Sequence, residues 1–134
     1  MSASFGLQSA VFTALSGASI GAQGIYDTAP QAADGGNAGA FPYVTIGRII
    51  MTQLDTQTTI GFAAQLRIHT FSRSGSMREC KEIQDAIFST LHRTPLTITG
   101  HNNFSLLRED TDCFPDADGK IHGVCEYRAL IETA

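Results

Sequence analysis

The residues of this chain whose types could do chemistry fall into four groups. They are Ser74-Gly75-Ser76, the glycines 35, 36 and 39, the acidic run Asp112, Asp116, Asp118 with Gly119, and the set His101, Cys113, His122, Cys125. A nucleophile elbow needs G-x-S-x-G at a strand-to-helix turn, and none is offered there; Ser74 and Ser76 read better as helix-capping serines. The three glycines fit neither G-x-G-x-x-G nor G-x-x-x-x-G-K-[ST], and no helix follows them to hold a phosphate. Setting Gly119 at the sixth position of a calcium loop puts Phe114 at the first ligand position and Cys125 at the twelfth, where carboxylates are needed. The acidic run is therefore turn chemistry. His122-x-x-Cys125 has a short metal-ligand spacing, but strand alternation sends the two side chains to opposite faces. That leaves a core thiol and a surface imidazole, and no metal. Asp27, Asp55, Glu79, Glu109 and Glu126 lie on different elements and define no acid–base pair. With no nucleophile, base, metal or cofactor site to name, the expectation is a protein that is not an enzyme.

Composition narrows the class further. The chain has 134 residues, of which 43% are apolar and 16% charged, with 9 basic against 13 acidic residues and a net charge of −4. That length suits one domain, taken as residues 1–134, with core enough to need no staple. An acidic balance is the reverse of what phosphate-gripping proteins show. No apolar run approaches the roughly 18 residues of a membrane span. The first 47 residues hold no Lys or Arg, so the charged start of a secretory signal is missing. Three cysteines without paired spacing predict free thiols in a reducing compartment.

The elements that would position these residues alternate between helical and extended patterns. Ser2 or Ser4 caps a first helix to about Leu15, with Phe5, Leu7, Val11, Ala14 and Leu15 as its apolar stripe and Gly17 ending it. Ile25-Tyr26 predicts a very short strand. Residues 31–40 hold no large apolar side chain and predict a long mobile loop that orders against a partner. Tyr43–Met51 and Ile60–Phe71 read as strands, joined by the polar Gln53–Thr59 connection. In the second of these, Leu66, Ile68 and Thr70 face one way, and Gln65, Arg67 and His69 the other. Ser76-x-x-Glu79 spells a capping box opening the strongest helix, with Met77, Cys80, Ile83, Ile87, Phe88 and Leu91 buried and Pro95 as its stop. Leu96–Thr99, Phe104–Thr111 and Ile121–Glu132 then read as strands, with Asp116–Gly119 turning between the last two. In the final strand Cys125, Tyr127, Ala129 and Ile131 share a face, opposite Glu126 and Arg128. The sum is an α+β fold: a mostly antiparallel β-sheet with two helices packed on one face.

The other face of that sheet would carry Arg67, His69, Glu126 and Arg128, with Phe62, Phe71, Val124 and Leu130 adding apolar area. Such a mixed surface suits burial against other copies of the protein, and equally a plain solvated sheet. The candidates for subunit contacts are Arg48, Asp55, Arg67, His69, Glu126 and Arg128, with the loops 31–40 and 53–59.

Several segments, taken together, resemble a known family. They are Ile25-Tyr26-Asp27 with Pro30, Phe41-Pro42-Tyr43-Val44-Thr45-Ile46-Gly47, His69-Thr70-Phe71-Ser72-Arg73 ahead of a helix with Glu79 and Ile83, then Asp116-Ala117-Asp118-Gly119, His122-Gly123-Val124 and Tyr127-Arg128-Ala129. In order and spacing they resemble the tail-completion family of long-tailed phages, prophages and gene transfer agents, also described as tail terminators or head–tail joining proteins. The resemblance covers nearly the whole chain; the glycine-rich stretch before Phe41 is longer than the family pattern. It implies a subunit that forms a ring, commonly of six copies, at the head-proximal end of the tail tube. There the ring would end tube polymerisation and meet the head connector or stopper protein, in a virion or phage-like particle assembled in the bacterial cytoplasm. No catalytic residue comes with it, and Tyr26, Phe41, Pro42, Tyr43 and Gly119 are implied to shape the fold. Within the same particle a tail-tube or connector subunit stays open, and from another class a small-molecule-binding α+β domain.

Such a ring is physically sound. A compact chain of this length is equivalent to a sphere of roughly 18 Å radius, so six touching copies leave a hole about 36 Å across and four only about 15 Å, against a duplex of about 20 Å. DNA would pass without specific binding, because an acidic or neutral lumen repels phosphates instead of holding them.

Overall fold

A computed structural model of the chain describes residues 2–27, 41–116 and 119–133. The elements are α1 (Ala3–Ser16), β1 (Ile25–Tyr26), β2 (Tyr43–Gln53), β3 (Gly61–Ser72), α2 (Arg78–Leu91), β4 (His101–Pro115) and β5 (Ile121–Thr133). The strands make one 5-stranded sheet in the order β1-β2-β3-β5-β4. Every neighbouring pair is antiparallel except β1 with β2. The α+β architecture expected from the sequence is the one observed. The loop expected at 31–40 lies outside the described residues.

Both helices lie on the face that carries most of the large aliphatic side chains. Leu7, Val11 and Leu15 of α1 and Ile83, Ile87 and Leu91 of α2 share a core with Val44 and Ile46 of β2, Leu66 and Ile68 of β3, Leu106 of β4, and Cys125, Tyr127, Ala129 and Ile131 of β5. Burying each such side chain is worth roughly 1.5–3 kcal/mol before its ordering costs. Ser2 caps α1, its Oγ accepting from the Phe5 amide at 3.1 Å. Gly17 follows the last turn, as its sequence position implies.

Five expectations need correction. Phe5 is not in the buried stripe: it is 56% exposed, and Ala3 takes the inward position one turn earlier. The capping box does not form at α2. Met77 is the cap residue without a side-chain bond, and Glu79 instead accepts from the Ser72 hydroxyl at 2.6 Å, tying the helix start to the end of β3. Pro95 is not what stops α2, which ends at Leu91 and turns through Arg93 at φ 61°. Leu96–Thr99 is no strand; only Ile98 bridges, to His101. Phe62, expected on the open face, pairs with Ile131 and packs on the helix side.

Two glycines allow close approaches that set the layers. A Cβ at Gly123 would lie 2.5 Å from both Cys80 Sγ and Gln84 Nε2, so its absence lets α2 sit directly on β5. The Gln84 amide, held there, donates to the Asp112 carbonyl of β4 at 2.8 Å. Gly47 does the same on the opposite face, where a Cβ would meet the His69 ring at 2.8 Å and the Arg67 carbonyl at 3.1 Å.

Candidate functional site

The register of β2, β3, β5 and β4 lays the uncovered face out as rows across the strands. The first is aromatic: Tyr43, Phe71, His122 and Phe114 are successive cross-strand partners. Their rings are in contact, with centroids 5.0 Å apart for Tyr43–Phe71, 4.4 Å for Phe71–His122 and 5.0 Å for Phe114–His122. Phe41 and Tyr26 continue the stack against Tyr43, and the Arg73 guanidinium lies 4.7 Å over Phe41. The next row is Thr45, His69, Val124 and Asp112.

A charged row follows. Arg67 faces Glu126, and Glu126 faces Asp110. On the other side Gly47 and Arg48 together oppose Arg67, because the register steps from Ile46 to Ile49 at a bulge. Ile46 and Ile49 pack on the core, and Arg48 in the bulge between them is exposed. The lower rows are Ile50, Gln65, Arg128, Leu107 and then Thr52, Ala63, Leu130, Ser105. Here Ile50, Leu107 and Leu130 are exposed large aliphatics surrounding Gln65 and Arg128.

The structure thus gathers five of the six candidate residues. Arg67 donates to Glu126 at 3.3 Å within one protomer, and His69 and Arg128 stand one row above and below that pair. Arg48 and Arg128 are exposed and have no ion pair among the described residues. Asp55 stays apart: its carboxylate accepts from the Gly61 amide at 3.2 Å and the Gln53 amide at 2.7 Å, closing the β2–β3 connection.

Sequence reasoning missed the partner of His69. His69 Nδ1 and His122 Nε2 are 2.9 Å apart, one ring donating and the other accepting, and His122 Nδ1 lies 3.4 Å from the Asp116 carboxylate. Burial lowers the pKa of His69, and the charges of His122 and Arg67 lower it further. Burial also lowers that of His122, with Asp116 pulling the other way. Both imidazoles are therefore biased to the neutral form, which a ring-to-ring hydrogen bond requires of at least one of them. Their meeting depends on β3–β5 register, which no local pattern encodes; the signal available was only that both fall on outward positions.

The described residues of this surface assemble no recognisable reaction centre. The two imidazoles reach each other and not a nucleophile, and no group of three or more His, Cys, Asp or Glu side chains among the described residues is placed to hold a metal. Gly17-Ala18-Ser19-Ile20-Gly21 does spell G-x-S-x-G, but it follows α1 and leads toward β1, the reverse of an elbow's order, and Ser19 is exposed. Cys80, Cys113 and Cys125 are free thiols, and burial pushes Cys80 and Cys125 up in pKa.

The family described as Tail completion protein gp17 matches residues 8–132. The chain belongs to this family. It is a structural protein of a phage-type tail. Among solved structures, a chain of the "Virion of native gene transfer agent (GTA) particle" shares its fold, with 17% identity, a TM-score of 0.81 and 94% of each chain covered. No curated protein matches. The segments that carried the tail-completion resemblance now have physical reasons. Tyr26, Phe41 and Tyr43 are the aromatic stack, Gly119 sits at φ 72°, and Gly47 and Gly123 clear the way for His69 and α2.

Proposed function

We propose that this tail-completion protein forms a ring of six copies on the head-proximal end of the tail tube, ends tube polymerisation there, and offers its other side to the head connector or stopper protein. The family match over residues 8–132 carries this reading. The fold likeness to a chain of a gene transfer agent virion supports it. The uncovered sheet face adds a physical reason: it exposes Ile50, Leu107 and Leu130 beside Arg48 and Arg128, which have no ion pair among the described residues, a mixture that suits burial in an assembly. Arg48, Asp55, Arg67, His69, Glu126 and Arg128 remain the candidate contact residues. The ring would be assembled in the bacterial cytoplasm, and DNA would pass through its lumen without specific contacts, because an acidic chain does not hold phosphates.

The test is the mass of the purified protein in sedimentation, alone and with tail tubes, alongside electron micrographs of the tube ends. Single rings capping one end of each tube are expected. Open-ended stacks of many layers would make it a tube subunit instead, and a protein that stays monomeric even with tubes would end the reading.

A further inference from the structure

We infer that neighbouring copies in this ring meet head-to-tail, with Arg48 of one protomer against Asp110 of the next. The inference rests on the ring reading above and names its contact.

The charged row carries it. Across the sheet it reads Arg48, Arg67, Glu126, Asp110, two cations followed by two anions at one height. The inner two already pair, at 3.3 Å. The outer two sit beside a like charge, an arrangement that costs energy in a sheet unless an opposite charge relieves it. Neither Arg48 nor Asp110 has an ion pair among the described residues. Arg48 is the sole charged side chain of β2, whereas β4, whose Arg108 is drawn over the Phe88 ring of α2, presents Glu109, Asp110 and Asp112 within four positions. The two edges are complementary in sign.

The edges are also open in the right places. Among the described residues β1 covers β2 only at Val44 and Thr45, no strand lies outside β2 from Ile46 onward, and β4 pairs on one side only. A rotation about an axis along the strands returns each row to its own height. It therefore carries the β4 end of one row to the β2 end of the same row on the next copy, repeating plus, plus, minus, minus around the ring. β2 and β4 run in opposite directions, so the two edges would approach antiparallel. Each carries a bulge at this height, between Ile46 and Ile49 and between Arg108 and Asp110. Bulges discourage a continuous backbone ladder, which leaves the side chains to make the contact. Exposed Glu109, the extra residue of its bulge, gives the Arg48 fork a second carboxylate within reach of the same approach. The same carboxylates reject nucleic acid as the occupant of this edge.

The experiment compares wild-type protein with Arg48→Glu, Asp110→Arg and the charge-swapped double variant. Ring formation is measured by sedimentation alone and with tail tubes, and thermal unfolding is followed for each. Each single reversal should weaken association by about tenfold or more without moving the unfolding midpoint, and the double should recover most of the loss. Rings of wild-type strength in both singles would overturn the contact while leaving the ring reading intact. So would a double variant that folds normally yet associates no better than its parents. A wild-type protein that never forms rings, even on tubes, would overturn the ring reading and this contact together.

Discussion

The two faces of the sheet are built from the same strands and do opposite work. The helix-covered face is mostly aliphatic and also takes in Cys125, Tyr127, Phe62 and the buried Thr70. The uncovered face changes chemistry with every row, from rings to imidazoles to charges to exposed aliphatics. Uniformity favours close packing, which decides whether the chain folds. Row-by-row variety cannot add much to folding in water, but it can tell a partner where to sit. Under the proposed function, folding energy and recognition would be separated by one strand's thickness, and substitutions on the two faces should fail in different assays.

The largest expected effect is on the covered side. Leu66→Ala removes a fully buried side chain at the centre of the core and should cost about 2–5 kcal/mol, read as a lower denaturant midpoint. Chains that remain folded should still associate; lost association at full stability would blur the division between faces. Gly47→Ala is the matching break on the open side. Its new methyl meets the His69 ring and the Arg67 carbonyl, and should cost about 1–3 kcal/mol while displacing the imidazole pair. An unchanged His69 signal in NMR titration would contradict that close approach.

Smaller effects sharpen the contrast. The Tyr127 hydroxyl is buried in the core with no hydrogen-bond partner among the described residues, so Tyr127→Phe should leave stability unchanged or raise it by about 1 kcal/mol in thermal unfolding. Acid should act on the open face: His69 and His122 have lowered folded-state pKa values, so the unfolded chain binds more protons. Their neutral forms are favoured above pH of about 6.5, and stability should fall as the pH drops through that value toward the folded-state pKa. Denaturant midpoints measured across this window should show the slope, and His69→Gln should reduce it. Arg67→Ala should cost under about 1 kcal/mol, since its pair with Glu126 is half-exposed, and a larger loss in unfolding would move Arg67 from recognition to folding.

What could be read from the sequence follows the same division. The alternation of Leu66, Ile68 and Thr70 against Arg67 and His69, and of Cys125, Tyr127, Ala129 and Ile131 against Glu126 and Arg128, was legible because a two-residue period needs no distant partner. β4 was read too short, since its two bulges break the period at Asn103–Ser105 and Arg108–Asp110. Phe5 was misplaced because an alanine-rich helix can bury small residues such as Ala3 and Gly6, leaving its aromatics outside. The false capping box shows tertiary bonding overriding a local pattern: Glu79 found Ser72 at the end of β3. The imidazole pair and the charged row were out of reach for a different reason. Each needs residues some 50 positions or more apart in the chain to be level, as Arg67 and Glu126 are, and only the completed sheet makes them so.

The strand order places β5 between β3 and β4, although both precede it in the chain. During synthesis those two earlier strands must wait with the facing sides of their backbones unsatisfied until residue 121 and its successors emerge and slot between them. A ribosomal product that stops short of that point has neither a finished hydrophobic floor nor the Glu126 half of its charged row. In the proposed ring, topology would thereby act as quality control: a truncated copy would lack the Glu126 side of its charged row.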